Sequence, residues 1–422
     1  MKGFLAYITL FLISILVRAF IFSLGVHFSG DVWIFQHWGI QMFEEGISNI
    51  YYSGTFIDYA PAYMYVLWLI AAVRDAMGWY ALSNELNMIT FLPAVISDIV
   101  TTLFLYGISR RIFTESGAFG KPFLIALTYS LNPSVIINSS SWGQVDAIHT
   151  MLLAFAIYAL YRKQGLHVYL LYGLAIMVKP HSLMVAPIFL YSAFHYFKNK
   201  NYDPKAAFTM VSFALITFAF MAAITLPFTQ DFNLISWWYQ YSQNLGTRPF
   251  MSINAFNFHL LMGGNWHHIT PFANFVTITF VSGVTIYTFW MLHQRWSRSS
   301  LFFCAAMLNI ITFNFAVQMH ERYLFPAILF LIIAAMFWHK ENPQDKRVFI
   351  LYAGFTITFF INCLEILLYV NGNSLFKANP LPHGVFRPVN QWMALISFVS
   401  VALAIYTLKI GWGITKWKKT EA

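Results

Sequence analysis

The chain has 422 residues, of which 59% are hydrophobic and only 10% charged, a balance that excludes a soluble globule with a polar surface. The formal net charge of +9 comes from 25 Lys and Arg against 16 Asp and Glu; the basic residues gather in alternate short loops, so the excess is a topology signal, not a nucleic-acid footprint. Cys304 and Cys363 both fall inside apolar runs, where they read as small buried hydrophobes and imply no disulfide or metal framework.

From the first residue onward, apolar stretches of about 17–25 residues recur, each enough to cross an apolar slab of about 30 Å as helix. They predict an all-α, polytopic integral membrane protein with about twelve transmembrane helices and interfacial helices in the first outer loop. The spans fall near residues 4–24, 88–109, 121–138, 146–161, 167–179, 181–197, 206–226, 271–293, 300–317, 323–338, 348–370 and 392–412, and the chain is expected to be helical throughout. No internal repeat, low-complexity tract or polar linker divides it, so 1–422 reads as a single membrane domain with a first outer loop at 25–87 and a longest later outer loop at 227–270. The first run follows Met1-Lys2-Gly3 without a small-residue cleavage site and reads as a retained span, its Arg18 reaching toward the acids of the first loop.

Orientation follows from the basic residues at 2, 110, 111, 121, 162, 163, 198, 200, 205, 295, 298, 340, 346, 347, 416, 418 and 419. Placed in the cytoplasm, they put both termini inside a cell membrane. Asp31, Glu44, Glu45, Asp58, Asp146, Asp231 and Glu321 then share the outer side. The stretch Pro61–Tyr80 would reverse every later loop if it crossed; with Arg74 and Asp75 inside it, it reads as a non-crossing helix at the outer interface.

Chemistry is expected at that outer rim. Asp31 heads an aromatic-rich helix over 31–43, either as its cap or as a general base for an acceptor hydroxyl. Glu45 lies fourteen residues further on, about 21 Å along a helix, and is a poor acid–base partner for it. In Trp142-Gly143-Gln144-Val145-Asp146, Asp146 either caps the next helix or joins Gln144 in bonding sugar hydroxyls under the face of Trp142. Lys179 either snorkels or meets a phosphate. Around Glu321, either a structural ion pair with Arg322 forms, or Arg322 and His320 hold a phosphate while Glu321 orients one of them. Asn254 and Asn257 in the long loop supply amides suited to hydroxyl recognition, and Trp237-Trp238-Tyr239 suits an interfacial anchor. Asp98 and Glu365 are either paired structural residues or parts of a cavity. No ligand spacing specifies a metal, and a divalent ion shared by isolated acids such as Asp31 and Asp146 stays open.

Gly30-Asp31, Asp58-Tyr59-Ala60-Pro61-Ala62-Tyr63, Trp142 to Asp146, Lys179-Pro180 and Met319-His320-Glu321-Arg322-Tyr323 occur in this order. Together they resemble the bacterial relatives of the second GPI-anchor mannosyltransferase, within the C-type integral-membrane glycosyltransferases, over about residues 15 to 330. Ala62 departs from the second proline frequent in such relatives. The resemblance implies transfer of a sugar, mannose or another hexose, with inversion from a polyprenyl-phosphate donor to an extracytoplasmic cell-envelope glycan, lipid or protein. It implies Asp31 as the catalytic carboxylate of the first loop. Membrane lipid is the surrounding partner, and nucleic acid is not one. In the mechanism we expect, Asp31 takes the acceptor proton while Lys179, His320 and Arg322 bind the departing phosphate, and Trp142, Gln144, Asp146, Asn254, Asn257 and Glu321 contact sugar or acceptor. The alternative is a transporter or flippase of lipid-linked sugars, favoured by the intramembrane charges Arg18, Asp98 and Glu365. A non-catalytic scaffold ranks last.

Overall fold

In hydrocarbon only a helix satisfies its own amides and carbonyls, and the apolar stretches fold accordingly. The computed structural model describes residues 1–162, 165–245, 247–375 and 389–416; the basic residues at 163, 418 and 419 lie outside these. The chain runs from α1 (Lys2–Ser23) through α2 (Ser29–Glu45) and α3 (Pro61–Met77) to α4 (Asn84–Ile112). Next come α5 (Lys121–Ser130), α6 (Pro133–Ser140), α7 (Asp146–Arg162), α8 (Leu166–Val178), α9 (Ala186–Asn199) and α10 (Pro204–Thr225). The long loop carries α11 (Leu234–Asn244), strand β1 (Ser252–Ile253) and α12 (Phe258–Leu261). The last part holds α13 (Pro271–Gln294), α14 (Arg298–Phe315), strand β2 (Met319–His320), α15 (Phe325–Glu341), α16 (Arg347–Val370) and α17 (Gln391–Lys416).

The protein is an all-α, polytopic membrane protein. Among the described residues seven helices, α1, α4, α10, α13, α14, α16 and α17, are long and apolar enough to cross a membrane. The other predicted spans are α7, α8, α9, α15 and the pair α5–α6, which breaks at Asn132-Pro133. Asn132 repairs that break. Its Oδ1 accepts from the amides of Ser134 and Val135, and its Nδ2 donates to Tyr352 Oη at 2.8 Å. At the centre, Ser299–Phe315 of α14 and Phe325–Trp338 of α15 are buried all round, as a helix apolar on every face requires. By contrast α10 buries only Ala206 and Thr225 and leaves a nearly continuous apolar surface.

The segment between α1 and α4 is built differently from any simple hairpin. Phe35 meets Tyr59 and Tyr63, Gly39 meets Leu67 and Ala71, and Glu44 faces Arg74 at 3.9 Å, so α2 and α3 run side by side in the same direction. A Cβ on Gly39 would stand 2.5 Å from the Leu67 carbonyl oxygen; the two backbones touch only because this position is glycine. Between them residues 46–60 return to the start of α2 and bring Asp58 beside it. Gln36, halfway along α2, donates to Asn87 Oδ1 at 2.9 Å in the first turn of α4.

Two expectations fail here. The chain is not helical throughout, because Ser252–Ile253 pairs in parallel with Met319–His320 and ties the long loop to the turn before α15. Arg18 does not reach the acids of the first loop. Its Nε and Nη2 donate to Asp98 Oδ2 at 3.2 and 3.1 Å inside the bundle, and its Nη1 donates to the carbonyls of Ser14 and Ser130. A buried guanidinium takes the nearest carboxylate that desolvation leaves unpaired, and Asp98 on α4 is that group. Glu365 accepts from Ser374 Oγ and from the Leu375 amide.

Candidate active site

Asp31 is the third residue of α2, too far into the first turn to be its cap, which is Phe28 without a side-chain bond. Its carboxylate points instead at the turn between α6 and α7. There Gly143 takes a φ of +64°, and a Cβ on it would press within 2.5 Å of Phe91, so the turn closes only with glycine. The turn presents two donors: Trp142 Nε1 reaches Asp31 Oδ2 at 3.0 Å and Gln144 Nε2 reaches the same oxygen at 2.6 Å. Arg322 Nη1 lies 3.6 Å from that oxygen as well. Among the described residues Oδ1 accepts no hydrogen bond. One oxygen of Asp31 is therefore fixed by three groups while the other stays open as a proton acceptor.

The strand pair sets Arg322. Because β1 holds Met319 and His320, the turn that follows swings Glu321 and Arg322 under α2, with Arg322 Nη1 2.8 Å from Glu321 Oε1. Arg322 Nε is buried and has no partner among the described residues. A buried arginine between two carboxylates holds their negative charge in place and keeps a donor in reserve.

Lys179, in the turn after α8, lies 2.5 Å from Asp146 Oδ1 and 4.7 Å from the ring centre of Tyr323. Asp146 opens α7, is fully buried, has His149 Nε2 3.5 Å from Oδ1, and leaves Oδ2 without a partner.

These segments enclose a cavity of about 250 Å³ lined by Asp58, Tyr59, Lys179, His181, Arg248, His320 and Tyr323, among others. A narrow recess of about 20 Å³ holds Asp31 and Arg322, and Phe56, Asp58, Tyr59 and Arg248 line both spaces. Burial pushes the Asp58 carboxyl up from its ordinary value, against the opposing pull of Arg248, Arg322 and Lys179. Burial, reinforced by Arg322, Arg248 and Lys179, pushes His320 well below its ordinary 6.5, so its imidazole is neutral at neutral pH. A chamber with two cations, Lys179 and Arg248, a neutral imidazole at His320 and a third cation, Arg322, in the adjoining recess suits an anionic ligand such as a phosphate ester.

The structure thus brings Asp31, Lys179, His320 and Arg322 to one region. Trp142 and Gln144 also come there, but as the donors that hold Asp31; Trp142 is fully buried with its ring on Phe28 at 4.7 Å. Asp146 and Glu321 are the partners of Lys179 and Arg322. Asn254 and Asn257 fall outside the cavity wall. Asn254 Oδ1 accepts from Trp266 Nε1 at 2.8 Å, and Asn257 caps α12 through the Leu260 amide while donating to the Phe313 carbonyl. Asn254 thus ties the loop to itself, while Asn257 both caps α12 and anchors the loop to α14. Asp58 and Arg248 were absent from the expected site. Arg248 had one legible signal, being the only Lys or Arg between residues 227 and 270. Among the described residues no group of three or more His, Cys, Asp or Glu could share a metal ion.

Compared with known families, the chain matches the model described as PIG-U, GPI transamidase subunit, over residues 34–254. That stretch is more than half of the chain and takes in Asp58, Lys179 and Arg248, while Asp31 and Arg322 lie outside it. No curated protein matches the chain.

Proposed function

The chain belongs to the PIG-U family of membrane proteins, and we propose that it is a membrane glycosyltransferase using a polyprenyl-phosphate sugar as donor. The observation that supports this most is the division of labour at Asp31, with Oδ2 held by Trp142, Gln144 and Arg322 and Oδ1 open beside a cationic chamber. Asp31 Oδ1 takes the proton of an acceptor hydroxyl as its oxygen attacks the anomeric carbon. The bond from that carbon to the phosphate oxygen breaks with inversion, and the lipid phosphate departs with the bonding pair. Lys179, Arg248 and Arg322 stabilise the charge that grows on the leaving phosphate, and neutral His320 donates one hydrogen bond to it. The lipid tail runs out between spans, and the acceptor is a cell-envelope glycan, lipid or protein. In this reading the basic loops and both termini are cytoplasmic and the chamber opens outside.

A second reading draws on the family description, a subunit of GPI transamidase. The matched stretch includes Lys179 and Arg248 but not Asp31, and a chain that binds through those cations without the Asp31 carboxylate would hold a lipid-linked glycan for a partner enzyme to process. Incubating purified protein with several polyprenyl-phosphate sugars and a cell-envelope glycan and lipid extract as acceptor, while following both donor binding and release of free lipid phosphate, separates the two. Release supports the transferase; saturable binding without release supports the holding subunit.

A further inference from the structure

On the face opposite the chamber a second cavity, of about 390 Å³, lies between the ends of α4, α7, α14 and α15. Arg111, Arg298 and Lys340 bring three cations to it, and Ile112, Tyr161 and Phe337 form its apolar wall. Basic residues at helix C-termini are ordinary, since they complement the dipole and orient the chain, and Arg111 and Lys340 occupy such ends. Arg298 is not explained that way. It is the first residue of α14, where the helix dipole disfavours a cation.

Its guanidinium is held 4.9 Å from the ring centre of Tyr161, 5.6 Å from Phe337 and 5.7 Å from Tyr158. Its Nε is buried and, among the described residues, donates to nothing. Glu341, the carboxylate in the wall, is already taken up by Arg295 at 2.7 Å and Ser299 at 2.8 Å. Lys340 reaches Glu115 at 3.5 Å, but both side chains are largely exposed, and such a pair is screened and weak. The cavity thus presents a planar fork fixed by three aromatic rings, two further cations and a free donor, with its own acid neutralised.

We propose that this cavity binds the phosphate of an anionic membrane phospholipid. The head-group phosphate lies on Arg298, Arg111 and Lys340, and the first carbons of the acyl chains lie on Ile112, Tyr161 and Phe337. A free phosphate ester shares the anionic chemistry. The apolar half of the wall and its place at the ends of membrane-spanning helices favour the lipid.

The test uses the full-length protein in detergent, with dioleoylphosphatidylglycerol, dioleoylphosphatidylcholine and inorganic phosphate as probes, read by native mass spectrometry and by melting temperature. Phosphatidylglycerol should stay bound and raise the melting temperature, phosphatidylcholine should not, and equimolar inorganic phosphate should fail to displace the anionic lipid. Arg298→Gln should weaken phosphatidylglycerol binding by about tenfold, the effect of losing one charge-assisted bond. Lys340→Gln, at an exposed position that leaves the fold intact, should weaken it less, and Lys205→Gln, on the same face but outside the cavity, should not change it. Wild-type binding by both Arg298→Gln and Lys340→Gln, equal retention of phosphatidylcholine, or displacement by equimolar phosphate would each overturn the proposal.

Discussion

Lys179 carries two duties that one pair of variants can separate. Its ammonium is 2.5 Å from Asp146, a carboxylate with no exposed surface whose second oxygen already lacks a partner. Replacing Lys179 with Met leaves that carboxylate buried beside only His149, at 3.5 Å. Removing one member of a buried ion pair costs about 3–5 kcal/mol, because the survivor stays desolvated without compensation. Lys179→Met should therefore lower thermal stability markedly. The double variant Lys179→Met with Asp146→Asn removes the orphaned charge and should recover more than half of that loss. It should not recover transfer, since the cavity still lacks its ammonium. Cys304 and Cys363 are fully buried, so a thiol-reactive fluorophore that labels them on heating reports unfolding directly. A single variant as stable as the parent, or a double variant no better than the single, would refute the pairing argument.

Gly39→Ala should push α2 off α3, since the new Cβ meets the Leu67 carbonyl at 2.5 Å; a loss of about 1–3 kcal/mol in stability with a parallel fall in turnover is expected, and unchanged melting would contradict it. Trp142→Phe keeps the packing on Phe28 and removes one donor to Asp31, so turnover should drop by about tenfold while the melting temperature hardly moves. His320 supplies a pH signature. Its folded pKa is lowered from 6.5, so between that lowered value and 6.5 the unfolded chain binds the extra proton; the stability this residue contributes is present above 6.5 and lost as pH falls below it. His320→Gln should make the decline of melting temperature below pH 6.5 shallower than in the parent, and an identical slope would contradict the assignment.

How far the sequence could be read depended on whether the deciding contact was local. Each apolar stretch from 4–24 to 392–412 is helical, 121–138 as two helices, because hydropathy over one segment is enough to require helix, and seven of the described helices are long and apolar enough to cross a membrane. The break at Asn132-Pro133 divides the stretch 121–138 in two; its cap on Ser134 and Val135 is local, whereas the bond that fixes Asn132 to Tyr352 comes from more than two hundred residues away. Arg18 was sent to the wrong acids for the same reason: its true partner, Asp98, is eighty residues on in the chain. The parallel course of α2 and α3 left no periodic trace, because it rests on where residues 46–60 return and on one glycine contact. Within the site, the motif residues were recognisable as types while their duties were not. Trp142 and Gln144 looked like sugar contacts, and only the distance to Asp31 shows them holding a carboxylate. Arg248 offers nothing but its isolation, and the bonds that hold Asn254 to Trp266 and Asn257 to Phe313 leave no local pattern in the sequence.

The central claim is that Asp31 Oδ1 is the proton acceptor in sugar transfer. Asp31→Asn keeps the shape of the group and the bond geometry at one oxygen while removing the basicity, so the decisive measurement is release of lipid phosphate by this variant in purified form, beside its donor binding and melting temperature. The account predicts that release falls by at least about 10²-fold with binding and melting close to the parent. Release at the parental rate by a folded, donor-bound Asp31→Asn protein would contradict it.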